Sequence, residues 1–268
     1  MEVISSSQND KVKYLNKLYR SRTRRQEGLF ILEGKRLIEA AAAGGADFKQ
    51  VFLTPAFFET AAHEQLLNIL KNSAELILIT PELLADLAST VNPQGILATV
   101  KENVLTEDKF YQSAAKILLL DRIQDPGNMG TMIRTAVAAG FSGIITLKGS
   151  VDIYNQKVIR STMGAIFSIP IRQRVKQQNF LTELNNSASQ HELLAADLTA
   201  AEYHFEHQYQ TKLILMIGNE ANGLAPELLT AADSRLKIPL AGQIESLNAA
   251  VAASVIAFEI LSRSLQNK

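Results

Sequence analysis

Three short stretches of this chain combine glycine, amide and charged residues at spacings that could build a ligand site. The first is Asn128-Met129-Gly130, with Arg134 a few residues on. The second is Gly218-Asn219-Glu220-Ala221-Asn222-Gly223. The third is Ile238-Pro239-Leu240, followed by Ser246-Leu247-Asn248. Loops of this kind expose backbone donors and acceptors and leave apolar side chains free to line a wall, which suits a ligand with apolar and polar parts. Two commoner uses of glycine loops fail on spacing. A dinucleotide site needs G-x-G-x-x-G directly after its first strand, and Gly127-Asn128-Met129-Gly130 does not have it. A phosphate loop needs Gly-Lys-Ser/Thr after a four-residue gap, and no such run occurs. The acid–base inventory is narrow. There is no cysteine, and His63, His191, His204 and His207 lie outside the three stretches and read as surface or structural residues. No cluster has metal-ligand spacing, so no metal is expected. Arg134 is then the candidate for handling a proton or a developing negative charge. Each residue also has a plainer use. Arg134 could be a surface residue of a helix, Asn128 a turn former, Glu220 a carboxylate at a helix start, Ser246 or Asn248 a helix cap, and Ile238 and Leu247 core.

The flanking elements must place these stretches side by side. Residues 213–217 form an unbroken apolar run, the signature of a strand buried on both faces of a parallel sheet. Residues 236–240 form another short apolar segment, and 246–265 an Ala- and aliphatic-rich helix that must be buried against something. Upstream, the pattern predicts strands at 116–123, 144–147, 168–171 and 193–197, and helices at 129–139, 155–165 and 180–189. Such alternation implies a parallel α/β sheet, whose ligands sit outside the carboxyl ends of the strands. Before it lies a smaller alternating unit. Helices are predicted at 9–20, capped by Asn9 or Ser7, and at 35–43, 64–70 and 81–88, with strands at 29–32, 49–54, 75–80 and 95–100. The polar stretch 101–115 reads as a linker, giving domains at 1–103 and 104–268.

The three stretches, in this order and each at a strand-to-loop position, resemble the SpoU-type (TrmH) family of S-adenosylmethionine-dependent RNA 2′-O-ribose methyltransferases, of the SPOUT superfamily. The resemblance covers residues 116–265 well and the N-terminal part more loosely. Phe30-Ile31-Leu32-Glu33-Gly34 resembles the start of that family's substrate-binding domain, itself similar in fold to RNA-binding ribosomal proteins; Glu33 reads first as a helix-start carboxylate. The resemblance implies a C-terminal domain with a deep trefoil knot, a homodimer formed through it, and S-adenosylmethionine as methyl donor. It assigns donor contacts to Gly218, Ile238 and Leu247, with Leu147, Gly149, Glu220, Leu240, Ser246 and Asn248 close by. The catalytic set it implies is Asn128, Arg134, Glu220 and Asn248. Arg134 would orient a substrate phosphate and stabilise the developing alkoxide, and Glu220 would brace the loops or pair with Arg134. Ribosomal RNA is the expected substrate, because the N-terminal domain resembles the rRNA-directed branch; transfer RNA, a base nitrogen, or RNA binding without catalysis are the alternatives.

Bulk composition gives a mixed message about RNA. Lys plus Arg and Asp plus Glu number 27 each, so the chain of 268 residues is neutral. The distribution is uneven. Residues 1–36 hold nine basic side chains against four acidic, with Arg20, Arg22, Arg24 and Arg25 in one Arg-rich turn and Lys35 nearby. These five are the expected phosphate contacts, where binding would weaken with salt. No stretch reads as long and apolar enough to span a bilayer, and the lack of cysteine suits a cytoplasmic protein.

Overall fold

The computed structural model describes residues 2–266 apart from Ser187, Ser189 and Gln243. Its contacts divide the chain into two units, Met1–Asn103 with Tyr154–Phe167, and Val104–Ile153 with Ser168–Lys268. In the first unit the chain runs β1 (Val3–Ile4), α1 (Asp10–Lys17), α2 (Ser21–Glu27), β2 (Leu29–Glu33), α3 (Lys35–Ala43), β3 (Phe48–Leu53), α4 (Pro55–Glu59), α5 (Glu64–Ser73), β4 (Glu75–Ile79), α6 (Pro81–Leu87) and β5 (Ile96–Lys101). The five-stranded sheet has the order β1-β4-β3-β5-β2. β1, β4 and β3 are parallel, and β5 runs antiparallel to both β3 and β2. Val12 and Leu15 of α1 and Leu83, Leu84 and Leu87 of α6 cover Ile31, Phe52, Ile77 and Leu97 of the sheet. Local chemistry sets the helix starts. Asn9 Oδ1 accepts from Lys11 N at 3.0 Å, and Thr54 and Thr80 cap α4 and α6, each with proline next.

Two readings of this unit need correction. The Arg-rich turn is a helix, α2, closed by Gly28 at φ 63°. Arg24 is 4% exposed, and its Nη1 donates to the carbonyls of Leu18 at 2.9 Å and Tyr19 at 2.7 Å. A guanidinium held inside this way is a structural brace, removed from the phosphate-binding set. Arg20, Arg22 and Arg25 remain exposed, and Lys35 is half-buried with its amine 3.7 Å from Glu39. Glu33 does not serve the start of α3, whose N-cap Gly34 offers no side chain. Its buried carboxylate accepts from Ser89 N at 2.9 Å, Ser89 Oγ at 2.7 Å and Thr90 N at 3.1 Å, and from Thr90 Oγ1 as well. Glu33 thus ties β2 to the turn after α6, which a buried carboxylate can do only when its oxygens are fully hydrogen-bonded.

The chain then continues α7 (Glu107–Ser113), β6 (Lys116–Leu120), α8 (Pro126–Ala138), β7 (Gly143–Leu147), α9 (Gln156–Thr162), β8 (Ile171–Val175), α10 (Gln177–Glu183), β9 (Glu192–Ala196), β10 (Glu202–Tyr203), β11 (Leu213–Ile217), α11 (Pro226–Ala231), β12 (Ser234–Lys237) and α12 (Ala249–Gln266). The predicted helix 180–189 is thus α10, and Ser187 and Ser189 lie outside the described residues. The seven-stranded sheet has the order β10-β12-β9-β11-β6-β7-β8, with parallel pairings throughout the described residues. β6, β7 and β11 are buried along nearly their whole length, as their apolar runs require. The stretch read as a linker contains α7. Phe110 and Tyr111 are buried there, and Tyr111 Oη donates to Glu183 at 2.7 Å. Arg172 grips the same Glu183 at 2.7 and 2.9 Å and lies over both rings. Burial, aided by Glu183, pushes the Tyr111 hydroxyl well above the usual tyrosine range. His191 and His204 are buried, and His207 lies between Glu202 and Glu192 at 2.9 Å from each.

α12 also departs from expectation. By length and composition it could cross a membrane. In the fold its inner face, Ala249, Ala250, Ala253, Ile256, Ala257 and Ile260, is buried, and the opposite side stays exposed. It runs alongside α8 in the same direction, with Asn128 against Asn248 and Thr135 against Ser254 at 2.9 Å.

Tyr154–Phe167 interrupts the second unit between β7 and β8 but is built into the first. Phe30 stacks on Tyr154 at 4.1 Å, Gln156 Nε2 donates to Ile31 O at 2.8 Å, and Val158 and Ile159 are fully buried. Residues 104–268 produced alone would therefore expose this segment's apolar side chains. We predict that limited proteolysis cuts that shortened chain first within 154–167, while the full chain resists there; equal protection in both would show that the segment does not depend on the first unit.

Candidate active site

Four connections leave the carboxyl ends of β6, β7, β11 and β12, the edge where parallel sheets hold ligands. After β6 the chain passes Asp121 and Arg122 and enters α8. Asp125 is the N-cap, its Oδ1 accepting from Asn128 N at 2.7 Å, and Pro126 opens the first turn. Asn128 therefore stands on the first turn of a helix rather than in the preceding loop. Asp-Pro at a helix entry is a readable start signal, and it places the helix three residues earlier than the apolar pattern alone does.

The 218–223 connection is a tight backbone loop. Asn219 and Gly223 pair across it, N to O at 3.1 Å and O to N at 2.8 Å. Asn219 Oδ1 accepts from Ala221 N at 2.9 Å and Asn222 N at 3.2 Å, and its Nδ2 donates to Arg122 O at 3.0 Å. A Cβ on Gly218 would lie 2.2 Å from the Gly223 carbonyl carbon and 2.2 Å from Leu224 N, so no side chain fits there. The loop carries Glu220 at its exposed tip.

Glu220 Oε1 accepts from Asn128 Nδ2 at 2.6 Å. Asn128 Oδ1 accepts from Asn248 Nδ2 at 3.0 Å. Asn248 Oδ1 accepts from Ala250 N at 2.9 Å and Val251 N at 3.3 Å, the first free amides of α12. This relay has one direction. An ionised carboxylate only accepts and helix-start amides only donate, so both asparagine amides are oriented from the two ends. Asn248 is the cap of α12. Ser246, the residue type expected to cap it, is exposed two positions earlier. The relay also redirects Glu220, which bonds Asn128 and makes no ion pair with Arg134. Arg134 is exposed, and among the described residues it has no ion-pair partner. It shares the outer stripe of α8 with Thr131 and Ala138.

The predicted donor-contact residues occupy the same edge. Leu147 is buried at the end of β7, and Gly149 follows at φ 106°. Ile238, Leu240 and Leu247 are half-buried in the 238–248 connection, in which Gln243 is outside the described residues. Two residues that the motif spacing did not suggest are Asp121 and Arg122. Asp121 is 1% exposed and takes the Arg122 guanidinium on both oxygens, at 3.0 and 2.8 Å. The hydrogen bonds it donates to Asp121 push the Arg122 guanidinium up from its ordinary value. An Asp next to an Arg at the end of an apolar run is the trace of this pair in the letters.

A family model described as the SpoU rRNA Methylase family matches residues 115–258. The chain belongs to the SpoU family. A second model, described as an MRM3-like substrate binding domain, matches residues 9–98. Among relatives of this SpoU methylase, a tRNA/rRNA methyltransferase from Synechocystis is 36% identical over 96% of this chain and 92% of its own length. The 23S rRNA (guanosine(2553)-2′-O)-methyltransferase RlmP from Bacillus subtilis is 32% identical over 97% of this chain and 99% of its own. The crystal structure of the SpoU methyltransferase AviRb from Streptomyces viridochromogenes, in complex with AdoMet, superposes with a TM-score of 0.87 at 26% identity, covering 96% of this chain and 99% of that one. The fold is accordingly that of an α/β SPOUT methyltransferase.

The relay can be separated from the cap it includes. Asn248→Asp keeps a good N-cap but cannot donate to Asn128. We expect little change in the thermal midpoint and a fall in methyl transfer of about 10- to 100-fold, the cost of roughly 1–3 kcal/mol for an unmet hydrogen bond. An unaltered rate would remove the Asn128–Asn248 bond from the catalytic account.

Proposed function

We propose that this SpoU methylase transfers the methyl group of S-adenosylmethionine to a ribose 2′-hydroxyl in RNA, with ribosomal RNA as substrate. The observation that carries this reading is the Glu220–Asn128–Asn248 relay, which joins the three motif loops into one site. Gly218 lets the 218–223 hairpin close on itself, where any Cβ would strike Gly223 and Leu224. The apolar and backbone contacts to the donor are assigned to Gly218, Leu147, Gly149, Ile238, Leu240 and Leu247. When bound, S-adenosylmethionine supplies an electrophilic methyl group on a sulfonium. The residues of the chain have the remaining tasks of alignment and charge. Aligning an oxygen with a methyl group is chiefly a positioning problem, and a rigid relay addresses it. Asn128, held at both ends of its amide, is assigned to the substrate ribose. Arg134 carries a guanidinium, which serves as a cation and not as a base. Its part is to orient a substrate phosphate and offset the negative charge that grows on the 2′-oxygen as the hydroxyl loses its proton.

The first unit is assigned to RNA recognition, with Arg20, Arg22, Arg25 and Lys35 as phosphate contacts. The second is assigned to catalysis, with a deep trefoil knot formed where the 238–248 connection enters α12. A homodimer through α8 and α12 is part of this reading. Val251, Val255, Phe258 and Leu265 leave an exposed apolar stripe along α12, at helical spacing, beside the outer stripe of α8 that carries Arg134. A second copy seated there would border Arg134. Ribosomal RNA is favoured by the relative from Bacillus subtilis, named for 23S rRNA and similar over nearly its whole length. A cytoplasmic location is part of the same reading, and a chain without cysteine suits it.

The test is methyl transfer from labelled S-adenosylmethionine to unmodified ribosomal and transfer RNA, digested to nucleosides. Label should appear as a 2′-O-methyl nucleoside from ribosomal RNA, and Arg134→Ala should lower the rate by about 10²-fold or more. Label on a base would overturn the ribose assignment. In a parallel measurement, Arg20→Glu with Arg22→Glu and Arg25→Glu should weaken RNA binding and flatten its salt dependence by about 0.7–0.9 in log–log slope per lost phosphate contact. An unchanged slope would take α2 out of the RNA path.

A further inference from the structure

Arg122 has no part in the chemistry above, yet it bonds both ends of the 218–223 loop and lies against Gly149. Its backbone sits at φ 54°, a conformation that non-glycine residues hold only when their surroundings impose it. The surroundings are these. Nε donates to Asp121 Oδ1 at 3.0 Å and Nη2 to Asp121 Oδ2 at 2.8 Å, so the guanidinium is gripped side-on by a buried carboxylate. The same Asp121 Oδ2 accepts from Ala225 N at 3.0 Å, just past the 218–223 loop. Arg122 Nη2 also donates to Gly223 O at 3.2 Å, and Arg122 O accepts from Asn219 Nδ2 at 3.0 Å. Its stem lies against the other loop. A Cβ on Gly149 would stand 3.1 Å from Arg122 Cγ, a tight approach, and the φ of 106° favours glycine there.

One side chain and one carbonyl therefore fix the 218–223 loop at both ends of its hairpin and set its spacing from Gly149. We propose that Arg122 is the positioning residue of the methyl-donor site, holding the two glycine loops at the separation that S-adenosylmethionine requires. This rests on the assignment of that donor to these loops. Arg122 bonds none of Asn128, Asn248 and Arg134, but the loop it holds also carries Glu220, so its loss should weaken donor binding first and slow the transfer step to a smaller extent. The guanidinium is required because three acceptors must be met from one planar fork, Asp121 twice and Gly223 once, and an ammonium on a flexible stem cannot span them.

Two variants separate positioning from bulk stability. Arg122→Gly removes the side chain and suits the φ of 54°. Arg122→Lys keeps a positive charge beside buried Asp121, so it remains readable if the glycine variant fails to fold. Donor affinity would be measured by calorimetry with S-adenosylmethionine, and KM for the donor and kcat with unmodified ribosomal RNA. Expected are increases in Kd and donor KM of at least tenfold for Arg122→Gly and about threefold to tenfold for Arg122→Lys, with kcat at saturating donor falling by a smaller factor than donor KM rises. Hydrogen exchange at residues 218–225 should rise in both. If wild type binds S-adenosylmethionine and both variants bind it equally well, Arg122 does not position the site. A fall in kcat with donor KM unchanged would overturn the proposal too. Wild type that binds no S-adenosylmethionine would instead defeat the donor assignment on which the proposal stands.

Discussion

The hydrogen-bond relay from Glu220 through Asn128 and Asn248 to the start of α12 is the constraint around which the catalytic unit is arranged. Its members come from three connections far apart in sequence, and each bond needs the next to be meaningful. Asn248 can offer its NH2 to Asn128 only because α12 has already claimed its oxygen. Asn128 can offer its NH2 to Glu220 only because its own oxygen is filled from the other side. A relay of this kind tolerates little displacement, since amide bonds weaken quickly with angle and distance. It is the local reason why α8 and α12 must lie side by side and in the same direction.

The sheet makes that arrangement possible. Parallel pairing places the carboxyl ends of β6, β7, β11 and β12 on one edge, so short connections from distant strands meet without long excursions. Burial of β6, β7 and β11 on both faces leaves the loops as the only parts of these strands open to water. Their shapes are then fixed by backbone chemistry. Gly218 admits the returning strand of its own hairpin, and Asn219 replaces the bonds that the turn's amides lose. Side chains with reactive roles are thus few, and the frame that holds them is mostly main chain.

How much of this the letters disclose depends on the kind of signal. Strands such as Leu213–Ile217 and helices such as Lys35–Ala43 were legible because their burial is written as an apolar run or a stripe. α7 was hidden because two aromatic residues in a seven-residue helix make no period, although Phe110 and Tyr111 anchor it firmly. Arg24 looked like its neighbours, and only the fold shows that it faces inward to two carbonyls. Glu33 looked like a helix-start residue, yet its partners lie 56 and 57 positions away. The membership of Tyr154–Phe167 in the first unit was equally unreadable, because α9 has the apolar pattern of any buried helix and carries no mark of what buries it. The three motifs could be found, but the bonds that join them could not. Short polar residues are compatible with caps, turns and sites alike, and Asn248 proves to be a cap and a relay member together.

The arrangement of charge carries one further consequence. Glu220, the carboxylate of the motif set, is engaged by an amide, while Arg134 stands on the outer stripe of α8 with no ion-pair partner among the described residues. Had the two paired, the cation would be neutralised before any substrate arrived, and its field would be weakest where a developing oxyanion needs it. Keeping the carboxylate on the relay preserves the guanidinium for an incoming anion. In the proposed reaction that anion is a phosphate of the RNA, so the substrate itself completes the electrostatics of the site. A neutral chain can act on a polyanion under this scheme, because the attraction is concentrated in a few unpaired cations rather than spread over a basic surface.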